Sequence, residues 1–285
     1  MRNAWELWRL KVSGRAPYIR WGQVLWYVVP SQLHPSWMVP IQNLEACLRV
    51  PVRMVKEAGG PCGVQWETPL GRFWAGGDDG HLLAHLIHEE LWEAVYNRPP
   101  VAVQRGDVVI DGGAHVGTFS RFALNKGNRK VIAFEPDLRN VECLKRTFGE
   151  ELGQGRLVLI QKALWSSPGN LDLRRGLNSA QSWVSEGAAR PGESVPATTI
   201  DEAVKELNLD RVDFIKLDIE GAERRAMAGA RETLRQFAPR MVLCTYHLPD
   251  DPVKITETVL RLRPSYWVFA TAEQAYFYEG GRDRR

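Results

Sequence analysis

From about residue 100 onward, short apolar runs alternate with segments of helical periodicity, and this alternation constrains the fold more than any other feature. It is the pattern of a parallel sheet with crossover helices. The spacing predicts strands at Val108–Asp111, Val131–Glu135, Leu157–Lys162, Asp213–Asp218, Arg240–Tyr246 and Tyr266–Thr271. A further strand, Ala275–Glu279, follows too soon for a parallel return, which needs about a dozen residues or more, so it is expected to run antiparallel. Helices are predicted over Thr118–Asn125, Asp137–Phe148, Asp201–Leu207, Ala222–Gln236 and Pro252–Leu262.

One connection is too long for a plain crossover. Residues 164–198 are rich in Ser, Gly, Asn and Arg, with strand-like pieces at Asn170–Leu173, Ser182–Val184 and Val195–Thr198. Connections of that length in a compact domain usually bind something, so a lid-like insertion over an acceptor is expected. The composition changes before residue 100, where eight of the eleven tryptophans lie. That part shows helical periodicity around Ala4–Val12, a proline-punctuated stretch from Pro30 to Pro51, and a hairpin pattern across Val64–Ala75. The expected division is an accessory region at residues 1–80 and an α/β domain at residues 81–285. The tryptophans read as core or subunit interface, a homodimer included, with aromatic platforms for a ring-shaped acceptor as the sharper alternative.

Composition excludes several classes. At 285 residues the chain buries enough surface to need neither disulfides nor metals for stability. Cys47, Cys62, Cys143 and Cys244 are far apart without a C-x-x-C pair, and read as buried thiols in a reducing cytoplasm. No apolar run approaches the roughly 20 residues of a membrane span, and Met1–Glu6 does not open a signal peptide, so a cytoplasmic protein without stable membrane insertion is expected. With 37 basic and 34 acidic residues, the charge is too balanced to suggest a nucleic-acid surface.

The most informative stretch is Val108–Gly117, V-V-I-D-G-G-A-H-V-G: an apolar strand, an acid, and a glycine-rich turn opening a helix. Such turns bring backbone N–H groups and a helix N-terminus to a ligand. Glu135 ends the next strand, where an acid can accept hydrogen bonds from ribose hydroxyls. Gly112-x-Ala114-x-x-Gly117 is a degraded dinucleotide fingerprint. Asp111-x-Gly113-x-x-x-Gly117 is instead the first motif of S-adenosylmethionine (SAM) methyltransferases. Asp111 favours SAM, because an acid there would repel a pyrophosphate but suits the cationic amino-acid end of SAM.

The second informative stretch is Asp213–Glu223, D-F-I-K-L-D-I-E-G-A-E. A central parallel strand is expected to be continuously apolar. Lys216 and Asp218 break that run and, two residues apart, share a face. Asp218 falls at the carboxyl end, where open α/β sheets bind ligands. A Lys–Asp pair can also be purely structural, and Glu220 and Glu223 can be ordinary first-turn acids of the next helix.

Together with Ala133–Pro136 (A-F-E-P) and Pro196–Asp201 (P-A-T-T-I-D), these stretches resemble the FkbM family of SAM-dependent methyltransferases over roughly residues 80–280. The resemblance implies a Rossmann-like, seven-stranded class I methyltransferase sheet with the last strand antiparallel. It also implies O-methyl transfer to a hydroxyl of a small molecule such as a sugar, glycoside or polyketide. His115 departs from the Asn usual in the family. On this reading Asp111, Gly113, Ala114, His115 and Gly117 form the cofactor loop, Glu135 and Pro136 hold the ribose, Lys162 and Ala163 border the adenine, and Asp218 adjoins both substrates.

An alcohol acceptor benefits from a base as its proton leaves. Asp218 and His247 stand at carboxyl strand ends, with Lys216 beside them, and His247 has the better intrinsic pKa. Magnesium is not expected, but Asp218, Glu220 and His247 would be the ligands if a metal replaced the base. His81, His85 and His88 recur on one helical face with Trp92 and Tyr96, and read as a solvated or packing face rather than a metal site. Two rival readings stay open: a non-catalytic SAM-binding scaffold, and an NAD-dependent oxidoreductase.

Overall fold

The computed structural model describes residues 44–176, 179–187 and 194–280, together with Trp5, Trp8, Arg9, Lys11 and Val12 of a helical segment. Trp21, Trp26, Trp37 and the proline-rich stretch up to residue 43 lie outside the described residues. Trp5 and Trp8 stack with ring centroids 4.9 Å apart. Two compact units are present, Met1–Ala94 and Val95–Arg285.

In the first unit, α1 (Leu44–Arg49) precedes an antiparallel sheet of β1 (Arg53–Glu57), β2 (Val64–Thr68) and β3 (Gly71–Ala75). The predicted hairpin is therefore present. Its inward positions hold Trp66 and Phe73, both fully buried, and the Trp66 indole N–H donates to the Gly76 carbonyl at 3.1 Å. Helix α2 (Gly80–His88) buries Leu82, Leu83, Ala84 and Ile87. It then widens into a π-helical turn, Glu89–Glu93, and stops at Ala94, which has a left-handed φ of 50°. This ends the helical face on which Tyr96 was expected.

The second unit is built on a seven-stranded sheet. Its elements run β4 (Val108–Gly112), α3 (Thr118–Asn125), β5 (Lys130–Phe134), α4 (Leu138–Thr147), α5 (Gly149–Gly153) and β6 (Leu157–Ile160). After β7 (Ala163–Leu164), β8 (Gly169–Arg175), β9 (Ser182–Ser185) and β10 (Ser194–Thr198) come α6 (Ile200–Glu206), β11 (Phe214–Leu217), α7 (Glu223–Ala228) and α8 (Arg231–Phe237). The chain closes with β12 (Arg240–Cys244), α9 (Asp251–Leu262), β13 (Tyr266–Ala270) and β14 (Gln274–Glu279).

The sheet order is β13-β14-β12-β11-β4-β5-β6. All neighbours are parallel except β14, which runs antiparallel to β12 and β13, as its short connection requires. Central strands β4 and β11 are buried at every position, which explains their unbroken apolar character apart from Asp111 and Lys216. In register, Asp111 lies opposite Lys216. The change of strand order beside β4 opens a crevice at the carboxyl edge.

The helix predicted over Ala222–Gln236 is broken into α7 and α8. A side chain at Gly229 would meet the Trp165 carbonyl at 2.5 Å and the Thr199 side chain at 2.9 Å, so the chain passes too close to continue as a regular helix. Asp201 restarts it by accepting from the Glu232 and Thr233 amides at 3.0 and 2.8 Å, an N-cap delivered from a distant segment.

The 164–198 insertion forms its own four-stranded sheet, β7-β10-β8-β9. Leu171, Leu173, Val195 and Ala197 bury against Trp165 and Ala222. The cysteine expectation needs correction: Cys47 and Cys244 are free and buried, but Cys62 and Cys143 are disulfide-bonded. A missing C-x-x-C pair does not exclude a disulfide. Among the described residues no helix is long and apolar enough to cross a membrane.

Candidate active site

Strand β4 delivers the glycine loop to the carboxyl edge. Gly113 has φ +74°, and a side chain there would collide with the Asp218 carbonyl. The backbone must therefore be bare at this point. The Gly113 and Ala114 amides both donate to the Phe134 carbonyl, at 3.1 and 3.0 Å. His115 also sits in the left-handed region, φ 51°. Asn and His are the non-glycine residues enriched there along with Asp, which accounts for His standing where the family usually shows Asn. Its amide donates to Glu135 Oε2 at 2.8 Å, and its Nε2 is 2.9 Å from the Ser179 hydroxyl.

The loop borders a cleft lined by Gly113, His115, Glu135, Pro136, Lys162, Ala163, Asp218 and Glu220. Ile219 and Ala222 add apolar surface, and Asn140 adds an amide. The insertion contributes Ala180, Ser182 and Val184 to the same wall. It is tied there by Arg175 and Ser182, which donate to Asp137 at 2.7 and 3.3 Å, and by Asn140, whose amide donates to the Ser179 carbonyl at 3.1 Å. The segment read as a lid over an acceptor thus walls the side of the cleft that holds Glu135.

Glu135 is 4% exposed and accepts from the His115 and Asp137 amides at 2.8 and 2.9 Å. Burial pushes its carboxyl up to about 7, against the lowering effect of those amides. Asp137 behaves oppositely. Burial would raise it, but hydrogen bonds from Arg175 and Arg139 hold it at about 2.

Asp111, Ala114 and Gly117 do not line this cleft. Asp111 is fully buried, accepting from Ser120 Oγ at 2.6 Å and from Lys216 Nζ at 3.1 Å. The Asp111 carboxylate expected to face a cationic ligand has these two internal partners. Lys216 also donates to the Gly112 and Gly113 carbonyls at 3.2 and 2.8 Å, bracing the loop from beneath. Burial would lower its ammonium pKa, but Asp111 and Asp218 hold it well above the ordinary lysine range. Gly117 has φ +94° and caps α3, and a side chain there would strike Phe148.

Beyond β11, the turn through Glu220 (φ 54°) and Gly221 (φ 93°) gathers Asp218, Glu220 and Glu223 around His247. His247 Nε2 lies 3.5 Å from Asp218 Oδ1 and 3.6 Å from Glu220 Oε2, while Nδ1 is 3.2 Å from Glu223 Oε1. Burial works against the charged imidazole, but Glu223, then Asp218 and Glu220, raise it to about 9. The three acids thus favour the charged imidazole of the residue expected as the better base. Burial raises Glu220 to about 7, with His247 opposing and the two other acids adding. For Asp218 burial also pushes upward, but Lys216, His247 and the Tyr96 hydroxyl bring it below the ordinary range, so it is the ionised group facing the cleft.

Two contacts of Asp218 carry no signal in the sequence. The Tyr96 hydroxyl donates to Asp218 Oδ2 at 2.7 Å, with Lys216 Nζ 5.3 Å from its ring centroid. The Tyr246 hydroxyl donates to Asp218 Oδ1 at 3.4 Å, and its ring, about half exposed, lies 4.1 Å from the imidazole of His247. Tyr96 was assigned to the preceding helix, and only the left-handed stop at Ala94 redirects it. In the sequence, Tyr246 marks only the end of a predicted strand. On the histidine-rich face of α2, His85 pairs with Glu89 at 3.5 Å and His88 with Glu93 at 2.9 Å.

A sheet of this order, with a glycine loop and an acid at adjacent carboxyl strand ends, defines a Rossmann-like fold of the methyltransferase class. The Methyltransferase FkbM domain matches residues 111–264, over half of the chain, and the protein belongs to that family. Among curated proteins it is 26% identical over 145 residues to the 2-O-methyltransferase NoeI of Sinorhizobium fredii, covering 45% of this chain and 58% of that protein. It is 24% identical over 157 residues to the hexuronic acid methyltransferase AglP of Haloferax volcanii, covering 54% and 62%. The chain thus spans about three fifths of the length of these relatives. Among solved structures, the FkbM methyltransferase of Methylobacillus flagellatus shares the fold, with a TM-score of 0.51 and 20% identity, over 72% of this chain and 56% of that one.

Proposed function

We propose that this protein is a SAM-dependent O-methyltransferase whose acceptor is a hydroxyl of a sugar or sugar-like small molecule. The observation that carries the reading is Asp218. Its ionised carboxylate borders the cleft that Glu135 and the glycine loop build, and it is also the hub of the Tyr96, Tyr246 and His247 contacts. On this reading a cofactor and an acceptor meet beside it. The residues fit SAM: a bare glycine backbone at Gly113, a buried acid for ribose hydroxyls at Glu135, and Ala163 and Leu164 beside Lys162 for the base. When bound, SAM supplies an electrophilic methyl group on its sulfonium.

The protein's own contribution is alignment and proton handling. Asp218 would accept the hydrogen bond of the acceptor hydroxyl and take its proton as the methyl carbon exchanges its bond to sulfur for one to that oxygen. Tyr96 and Tyr246 fix that carboxylate from two sides. The exposed ring of Tyr246 offers a surface for a sugar face, in keeping with relatives named for 2-O-methylation and for a hexuronic acid. The near balance of 37 basic and 34 acidic residues gives no support to a nucleic-acid acceptor.

The first test is a thermal-shift titration with SAM, S-adenosylhomocysteine and NAD, since a ligand of the native state raises its melting temperature. Stabilisation by the first two alone is expected, and stabilisation by NAD alone would overturn the reading in favour of an oxidoreductase. Purified hexose and hexuronate glycans are then supplied with SAM, and S-adenosylhomocysteine release is followed together with product mass. Tight SAM binding without turnover on any hydroxylated acceptor would favour the scaffold reading.

A further inference from the structure

The cluster around His247 contains buried polar atoms that the fold leaves unused. Glu223 is fully buried. Its Oε1 accepts from the Ile219 amide at 2.8 Å, but its Oε2 has no hydrogen-bond partner. The His247 side chain is only 7% exposed, and neither ring nitrogen makes a hydrogen bond of acceptable geometry. Buried acceptors and imidazole nitrogens are ordinarily satisfied, because an unmade hydrogen bond costs about 1–3 kcal/mol. Here three such groups converge, and one ligand atom each from Asp218, Glu223 and His247 lies within 4.8 Å of the others.

We propose that Asp218, Glu223 and His247 form a binding site for a divalent first-row transition-metal ion, with Glu220 at its rim. The donor set decides the ion class. Two carboxylates and an imidazole suit manganese, cobalt, iron or zinc, whereas magnesium prefers an all-oxygen shell and retains its waters. The left-handed Glu220 and Gly221 turn the chain back so that Asp218 faces the Nε2 edge of His247 and Glu223 its Nδ1 edge, and the Ile219 amide holds Glu223 in place, so a small rotation of the ring or of one carboxylate brings the three ligand atoms onto one ion. Asp218 also lines the cleft, so an open coordination position would face it. On the proposed function, which this point rests on, an acceptor hydroxyl bound there would lose its proton more easily.

The test uses the untagged full chain, stripped with a chelator. Manganese binding is followed by electron paramagnetic resonance, cobalt binding by visible absorption, and magnesium serves as the comparison. The expected result is one manganese or cobalt ion per chain, with cobalt bands that indicate nitrogen ligation. Affinity should weaken by more than about tenfold in Glu223→Gln and in His247→Gln. Far-UV circular dichroism checks that each variant is folded. Absence of saturable binding, or binding that Glu223→Gln leaves unchanged, overturns the proposal and leaves protonated His247 as the internal counter-ion of the acids. S-adenosylhomocysteine binding is measured in parallel on stripped protein. If it persists where metal binding fails, the metal site falls and the transferase reading stands.

Discussion

Two groups of buried charge lie within a few residues of each other and are built in opposite ways. Asp111 and Lys216 face each other across β4 and β11. Every polar atom there is used: Ser120 and Lys216 serve the carboxylate, and the carboxylate with two loop carbonyls serves the ammonium. Asp218, Glu220, Glu223 and His247, just beyond the strand end, place three acids against one imidazole and leave Glu223 Oε2 and both ring nitrogens without hydrogen bonds. Burial and charge do not separate the two groups, since both are mostly withdrawn from water. Satisfaction does. The closed pair holds the glycine loop in shape, and the open cluster keeps coordinating capacity in reserve for something the protein binds.

The largest effect should come from breaking the closed pair. Lys216→Met removes the cation that compensates a fully buried Asp111, and removing one partner of a buried pair costs about 3–5 kcal/mol. Urea unfolding should report a loss of that size. Adding Asp111→Asn to the same variant should recover part of it, because the stranded charge is then gone. If Lys216→Met unfolds at the wild-type midpoint, the pair is not the framework element described here.

Next comes Asp218→Asn. The amide keeps an oxygen for the Tyr96 hydroxyl but cannot take a proton. Turnover is expected to fall by about a hundredfold or more, with the melting temperature little changed. A comparable loss of stability would move Asp218 to the framework side of the comparison.

The sheet was legible in the sequence because buried parallel strands are continuously apolar and helices between them keep their period. The Glu135 side of the cleft was legible because a glycine loop and an acid one strand later follow chain order. The role of Asp111 was not. Its acid at a strand end suggested a ligand contact, whereas its partner stands 105 residues away, and the register alone brings Lys216 opposite. Tyr96 was hidden by a helix that continues in pattern but stops in fact at a left-handed alanine. Glu223 occupies a position where any first-turn acid is favourable, and only the orphaned oxygen distinguishes it. The insertion is strand-like in pattern, but its place in the wall beside Glu135 is not legible, because β-pairing between β7 and β10 spans over thirty residues of chain.

A smaller effect concerns Glu135, which resembles the open cluster in being an under-compensated acid. Its folded pKa of about 7 lies above the ordinary 4.5, so the ligand-free protein binds an extra proton between those values. Stability should therefore fall as pH rises through that window and level off above it. Ribose hydroxyls donating to the carboxylate favour its ionised form. S-adenosylhomocysteine affinity should then strengthen by about tenfold between pH 6 and 8, and Glu135→Gln should flatten the profile. A flat profile in the wild type would mean that Glu135 serves only the His115 and Asp137 amides.

The smallest expected effect is the sharpest test of the contrast. Glu223→Gln is nearly isosteric, and its carbonyl oxygen can still accept from the Ile219 amide. What it removes is one carboxyl group of the three around His247, and neither Asp218 nor Glu220 takes a hydrogen bond from it. The loss of contact with His247 is offset by relief of like-charge repulsion with Asp218 and Glu220, and the new amide N–H groups have carboxylates nearby. In chelator-stripped protein, stability should therefore change by less than about 1 kcal/mol, in contrast to the cost of breaking the Lys216 pair. That outcome would show a fully buried acid whose charge contributes almost nothing to folding, which is what a side chain kept for binding looks like. A loss of about 3 kcal/mol or more would instead show that Glu223 and His247 form a structural ion pair like Asp111 and Lys216, and the distinction between the two regions would collapse.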